Sequence, residues 1–246
     1  MKLRSSLLLG AVLAAALIGL APDWVPDVAD RVSPDVLFSV PTGERVVALT
    51  IDDGPSAATP EILGVLEEYG ARATFFMIGE HVRARQEIAR EVVGGGHEIA
   101  HHMLRDEPSI RLSADEFDAQ FDETRRILDE LAASRLFRPG SGWYDRRMRA
   151  DVEARGYHLV LGSIYPFDAQ LASAAFSRWF ILRNVRPGAI IVLHDGDRRG
   201  PRTAAVLRSI LPELQRQGYT VTTVSALLRD DRPSNAATVD RRLVQP

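Results

Sequence analysis

The stretch R-V-V-A-L-T-I-D-D-G-P, residues 45–55, sets the reading of the whole chain. From Val46 to Ile51 every residue is apolar or β-branched with no polar alternation, the pattern of a strand covered on both faces. Such strands run parallel and need helical crossovers. The crossover follows at once: residues 60–69 set Ile62, Leu63, Val65 and Leu66 among Glu61, Glu67 and Glu68 and stop at Gly70, a helix with its end signal. The alternation repeats, predicting strands over 73–78, 97–100, 136–137, 157–161, 189–193 and 219–223. Helices are predicted over 81–93, 113 to about 131, 146–155, 170–184 and 203–217. Ser113 with Glu116 three residues on forms a capping box. This order fits either an open doubly wound sheet or a closed (β/α) barrel of about seven parallel strands.

With 246 residues, 46% of them hydrophobic and 26% charged, the chain can bury a sizeable core in a single catalytic domain. A net charge of -3 provides no broad positive field, which argues against nucleic acid as a partner. Cysteine is absent, so a metal ion would have to sit on His, Asp or Glu. At the N-terminus Lys2 and Arg4 precede an uncharged apolar run, Ser5 to Ala21, halted by Pro22 and Asp23. Residues 1–21 read as a segment for the export machinery, either a cleaved signal peptide or a retained membrane anchor, and place the protein outside the cytoplasm. The proline-bearing residues 22–43 read as a linker, 44–229 as the domain, and the polar 230–246 as a tail.

In parallel α/β folds chemistry gathers where strands end. Polar residues stand at such ends at Asp52-Asp53, in the segment from His101 to Asp106, at Arg138, at Asp168 and at His194-Asp195. Acids, an arginine and histidines converging on one face make a polar pocket able to bind metal. His97 to His101 also spells H-E-x-x-H, a metallopeptidase signature that works only on a helix. Three glycines directly before His97 oppose a helix there, and on a strand residues four apart are separated by about 13 Å, too far for one ion.

Taken together, T-I-D-D-G-P (50–55), G-H-E-I-A-H-H (96–102), R-P-G-S-G (138–142), Y-P-F-D (165–168) and I-V-L-H-D (191–195) resemble the motifs of the polysaccharide deacetylase family, the NodB-like carbohydrate esterases. The resemblance implies a distorted (β/α) barrel and removal of an N-acetyl group from N-acetylhexosamine units of a polysaccharide. By the same resemblance Asp53 is a metal ligand, Asp52 the base, Arg138 its orienting partner, His194 the general acid and Asp168 the residue that supports it. Leu193 with Tyr165 or Phe167 would wall the acetyl pocket. A backbone N–H in Gly140, Ser141 or Gly142 would serve the oxyanion, and Trp143 would stack on sugar.

The second motif departs from the family. His102 is followed by Met103, and four residues on stands Asp106 where a second histidine is usual, implying an Asp53, His102, Asp106 ligand set. An extra anion shifts preference among Zn, Co, Mn and Ni away from zinc. Gly140 replaces a proline in the third motif. The expected activity is a metal-dependent polysaccharide deacetylase of the cell envelope or exterior. The alternatives are an O-acetyl esterase and a glycan-binding relative whose altered second motif has lost the metal.

Overall fold

The structure, a computed structural model, describes residues 35–230. The signal or anchor segment, most of the expected linker and nearly all of the expected tail lie outside the described residues. Strands β1 (Val36–Leu37), β2 (Val46–Gly54), β3 (Thr74–Met77), β4 (Glu98–His101), β5 (Leu136–Phe137), β6 (His158–Val160), β7 (Ile190–His194) and β8 (Thr220–Thr222) alternate with helices. These are α1 (Thr59–Glu68), α2 (Gly79–Ala84), α3 (Gln86–Gly94), α4 (Ala114–Asp129), α5 (Arg146–Ala154), α6 (Ala174–Asn184), α7 (Gly200–Arg216) and α8 (Val224–Asp230).

All strand pairs in the ladder are parallel, in the order β1-β6-β5-β4-β3-β2-β7. The two ends of this path meet through single bridges, Ser39 with Ala189 and Ile164 with Ile191. The sheet is thus a closed but distorted barrel, as the motif resemblance implies, where the alternation by itself left an open sheet equally possible. β2 is its hub, since β7 runs along one edge while β8 pairs with Val46–Ala48 and β3 with the later residues on the other. Its residues from Val47 to Gly54 are all buried, which is why no alternation shows in the sequence.

Strand parity sorts the core into layers. Ala48, Phe76, Ala100, Leu136, Val160 and Ile190 fill the barrel, whose lower end is plugged by Val224 and Leu227 of α8. Leu49, Ile51, Phe75, Ile191 and Leu193 face outward onto α1, α6 and α7 through Ile62, Leu66, Ile181, Leu207 and Leu211. Phe117 and Phe121 of α4 pack with Phe137, Met103 and Tyr157 on the far side.

Three local expectations differ. The helix expected over 81–93 is two helices, broken at Arg85 with φ -140. α2 is tied away to the second-motif segment, with the N–H groups of Gly79 and Glu80 donating to Met103 and Leu104 carbonyls at 2.9 and 3.0 Å. Helix α6 starts only at Ala174, where the Ser173 side chain accepts from the Phe176 N–H. Where the linker was expected to reach residue 43, β1 already pairs with β6, and Val36 and Val40 are buried.

Candidate active site

Two adjacent carboxylates on a regular strand would point to opposite faces. β2 avoids this with a bulge: Asp52 pairs with Phe76 and Gly54 with Met77, so Asp53 is an extra residue, at φ 70. The His81 Nδ1–H donates to the Asp53 carbonyl at 2.8 Å and holds the bulge. Met103, Ser141 and Phe167 also have positive φ, at 65, 64 and 56, so the first, third and fourth motifs each hold one strained non-glycine residue and the second is followed by one.

Asp52 Oδ1 accepts from Arg138 Nη1 at 2.5 Å. The same nitrogen donates to Thr50 Oγ1 at 2.8 Å, Nε donates to the Val160 carbonyl at 3.1 Å, and the guanidinium lies 4.1 Å over the Phe76 ring. Arg138 Nη2 is buried without a partner. Burial draws the Arg138 pKa down, with the Asp52 charge opposing it. The pair is fixed because Arg138 fills the barrel mouth above Phe76.

Across the β2–β7 ladder Asp52 is the register partner of His194. Asp168 binds His194 twice, its Oδ2 accepting from the backbone N–H and its Oδ1 from Nδ1–H, both at 2.9 Å. Burial alone would depress His194, but the Asp168 hydrogen bond and charge, with Asp52 and Asp53 behind them, raise its pKa above the ordinary value. The next residue, Asp195, is fully buried and accepts from Ser56 Oγ, Thr59 Oγ1 and the Gly196 N–H at 2.7, 2.5 and 2.6 Å. It locks the end of β7 to the start of α1.

His102 donates from Nδ1–H to the Arg138 carbonyl at 2.7 Å. Its Nε2 faces Asp53 Oδ1 at 3.3 Å and Asp52 Oδ2 at 4.0 Å. Burial opposes the charge of His102, yet Asp52 and Asp53 raise its pKa. Burial likewise pushes Asp53 up, but the His102 hydrogen bond and charge, with His194 and Arg199, hold it well below the usual carboxylate range.

Of the other expected residues, Leu193, Phe167 and Gly140 are placed differently, while Tyr165 and Trp143 lie where their expected roles need them. Leu193 is fully buried on the outer face of β7 and cannot wall the pocket; Val192 shares the inner face with Ile190 and His194. Strand parity in the sequence was the signal for that choice. Tyr165 meets the His194 ring edge-on at 5.6 Å, while Phe167 backs Tyr165 and turns toward Phe180. The Gly140 N–H is already given to Ser109 Oγ at 2.7 Å and that of Gly142 to the Pro139 carbonyl at 3.0 Å, so neither is free for an oxyanion. Glycine at 140 instead allows close approach, since a Cβ there would lie 2.1 Å from the Glu107 carbonyl oxygen. Ser141 and Trp143 are exposed at the rim, Trp143 to 69%.

His97 precedes β4 and His101 ends it, so the peptidase motif has no helix. Burial, and for His97 the Arg72 charge too, depresses them to about 4 and about 3. His101 stacks on Phe121 at 4.2 Å and serves packing.

The polysaccharide deacetylase family model matches residues 39–160. A peptidoglycan-N-acetylglucosamine deacetylase of Bacillus cereus is 33% identical over 198 residues, 79% of this chain and 93% of the relative. The chain belongs to the polysaccharide deacetylase family. A chitooligosaccharide deacetylase of Sinorhizobium fredii is 32% identical over 205 residues, covering 76% of this chain and 95% of that one. The crystal structure of a peptidoglycan N-acetylglucosamine deacetylase with 4-naphthalen-1-yl-N-oxidanyl-benzamide superposes with TM-score 0.75 at 28% identity, over 80% of this chain and 95% of the other.

Polysaccharide deacetylases are in general metal-dependent, so the donors need testing against that requirement. Asp53 and His102 face each other with a tautomer that leaves Nε2 toward the carboxylate, half of a metal site. Asp106 does not join them. Its carboxylate is 59% exposed and stands 3.6 Å from Arg199 Nη2, while Arg199 Nη1 donates to Asp53 Oδ2 at 2.5 Å. Among the described residues no group of three or more His, Asp or Glu is arranged to hold an ion. The expected Asp53, His102, Asp106 set therefore does not fit a metal as placed, because a guanidinium stands between the two aspartates. Arg199 lies beyond the quoted motifs, and no spacing in the sequence points to it.

Proposed function

We propose that this polysaccharide deacetylase hydrolyses the N-acetyl group of N-acetylhexosamine units in an extracytoplasmic glycan of the cell-wall or chitin-oligomer type. One observation carries the reading: Asp52 with Arg138 and His194 with Asp168 stand as register partners, one a carboxylate beside a cation and the other an imidazole beside an anion. Such oppositely tuned neighbours divide acid from base work. Asp52, oriented by Arg138, takes a proton from the water that attacks the acetyl carbonyl. His194, kept protonated by Asp168, delivers a proton to the nitrogen as the C–N bond breaks, giving acetate and a free amine. Val192 and Tyr165 supply the apolar wall beside the methyl group, and Trp143 a stacking surface at the rim. The apolar run from Ser5 to Ala21 supports action outside the cytoplasm, as do relatives named for peptidoglycan.

A second reading, a glycan-binding relative without hydrolysis, is favoured by the guanidinium between Asp53 and Asp106. Acetate release from N-acetylglucosamine oligomers and from peptidoglycan separates the two, measured before and after chelation and after return of Zn, Co, Mn or Ni. The deacetylase releases acetate with at least one ion, and His194→Ala costs it far more on amides than on activated esters, whose leaving groups need no proton. No acetate from either substrate with any ion sinks the reading.

A further inference from the structure

Asp53 is 6% exposed and meets His102 through one oxygen only. A buried carboxylate with a free oxygen needs a second cation or donor. Arg199 supplies it at 2.5 Å, and its other nitrogen reaches Asp106. The arginine is not a loose surface chain. Its backbone N–H donates to the Gly196 carbonyl at 3.1 Å, in the turn that Asp195 anchors. Gly200 beside it packs so closely that a Cβ would lie 2.4 Å from Ala58 Cβ and 2.7 Å from Asp195 Oδ1, which jams the start of α7 against that of α1. The fold thus aims the guanidinium at the bulged aspartate. Surface pairs contribute little, but this one ends on a buried acid.

We propose that Arg199 is the site's resident cation: its guanidinium bridges Asp53 and Asp106 in the position a divalent ion would take beside His102, and an ion enters only by displacing it. Asp106 then anchors the arginine. This rests on the reading of Asp53 and His102 as the metal half of the deacetylase site. A binding-competent fraction set by how often Arg199 leaves lowers apparent affinity by that fraction. The guanidinium cannot lose its proton to make room, so release requires the side chain to swing away.

The test is cobalt(II) titration of the metal-free full-length protein, followed by visible d–d absorption and by the rise in Tm that binding produces. Arg199→Ala is expected to bind cobalt about ten-fold more tightly than wild type, or better. Arg199→Lys, which keeps the charge but cannot span both carboxylates, falls between and also serves if the alanine variant does not fold. In metal-free buffer Arg199→Ala melts below wild type, and cobalt raises its Tm by more. His102→Ala in the Arg199→Ala background removes the binding. Equal or weaker cobalt affinity in both Arg199 variants, with binding that still needs His102, overturns the role of Arg199 and leaves the deacetylase reading standing. No cobalt binding by a folded Arg199→Ala protein overturns the proposal together with the half-site on which it rests.

Discussion

Asp52 and Asp53 are sequence neighbours that can take the separate roles proposed for them, because one remains in the ladder and the other is bulged from it. Asp52→Asn keeps the shape and the Arg138 contact but cannot take a proton. Deacetylation is expected to fall about 100-fold or more, with unchanged circular dichroism. Near-normal turnover would remove Asp52 from the chemistry. Asp168→Asn tests the partner group. His194 has a raised pKa in the folded protein, so its pairing with Asp168 stabilises fully below the ordinary imidazole value of about 6.5 and is lost as pH rises through the raised value. The Tm deficit of Asp168→Asn is therefore largest in mild acid and shrinks in base, and the basic limb of its pH–rate profile moves down. A deficit that grows with pH contradicts the assignment. At this scale the sequence was most legible where polar residues end strands, and it failed by one residue at Leu193 and altogether at Arg199. The first miss violates strand parity and was avoidable. The second depends on two helix starts being jammed together, a contact between distant segments that periodicity does not encode.

Elements were readable in proportion to their length and burial. β2, α1 and α4 stand close to where their patterns place them, the last with the capping box of Ser113 and Glu116 intact. β1 spans two residues and α8 follows β8 directly, so neither leaves a period to detect. What joins the elements is often a buried polar residue, and Asp195 is the clearest. Asp195→Ala leaves Ser56, Thr59 and Gly196 donors without their acceptor, and a loss of about 3 kcal/mol is expected. The check is urea unfolding, in which the midpoint falls while the slope stays constant. A change under about 0.5 kcal/mol would make the residue an ordinary surface-like position.

For the whole molecule, the alternation of elements implied parallel strands, but closure of the barrel rests on two bridges, Ile164 with Ile191 and a seam made before residue 44. The Val40 N–H donates to the Gly188 carbonyl at 2.9 Å, and Gly188 at φ 75 has Val40 so near that a Cβ would lie 1.7 Å from its carbonyl oxygen. A chain begun at Glu44 loses that seam together with buried Val36 and Val40. It is expected to be about 3 kcal/mol less stable than one begun at Asp35, measured by chemical denaturation. Equal stability would show that the first strand is an ornament on a barrel able to close without it.

The forked pairing of β2, with β7 on one edge and β8 and β3 sharing the other, has a kinetic meaning. A strand bonded along both sides can release its amide protons to solvent only when the barrel itself opens. Deuterium uptake at Val47 to Asp52 should therefore proceed at the rate of global unfolding, while the exposed residues around Arg105 and Asp106 exchange through small local openings. The catalytic base would ride on the slowest-exchanging strand of the protein and the anchor of Arg199 on one of its fastest loops. Ligand traffic at the site can then be quick without loosening the carboxylate proposed as the base.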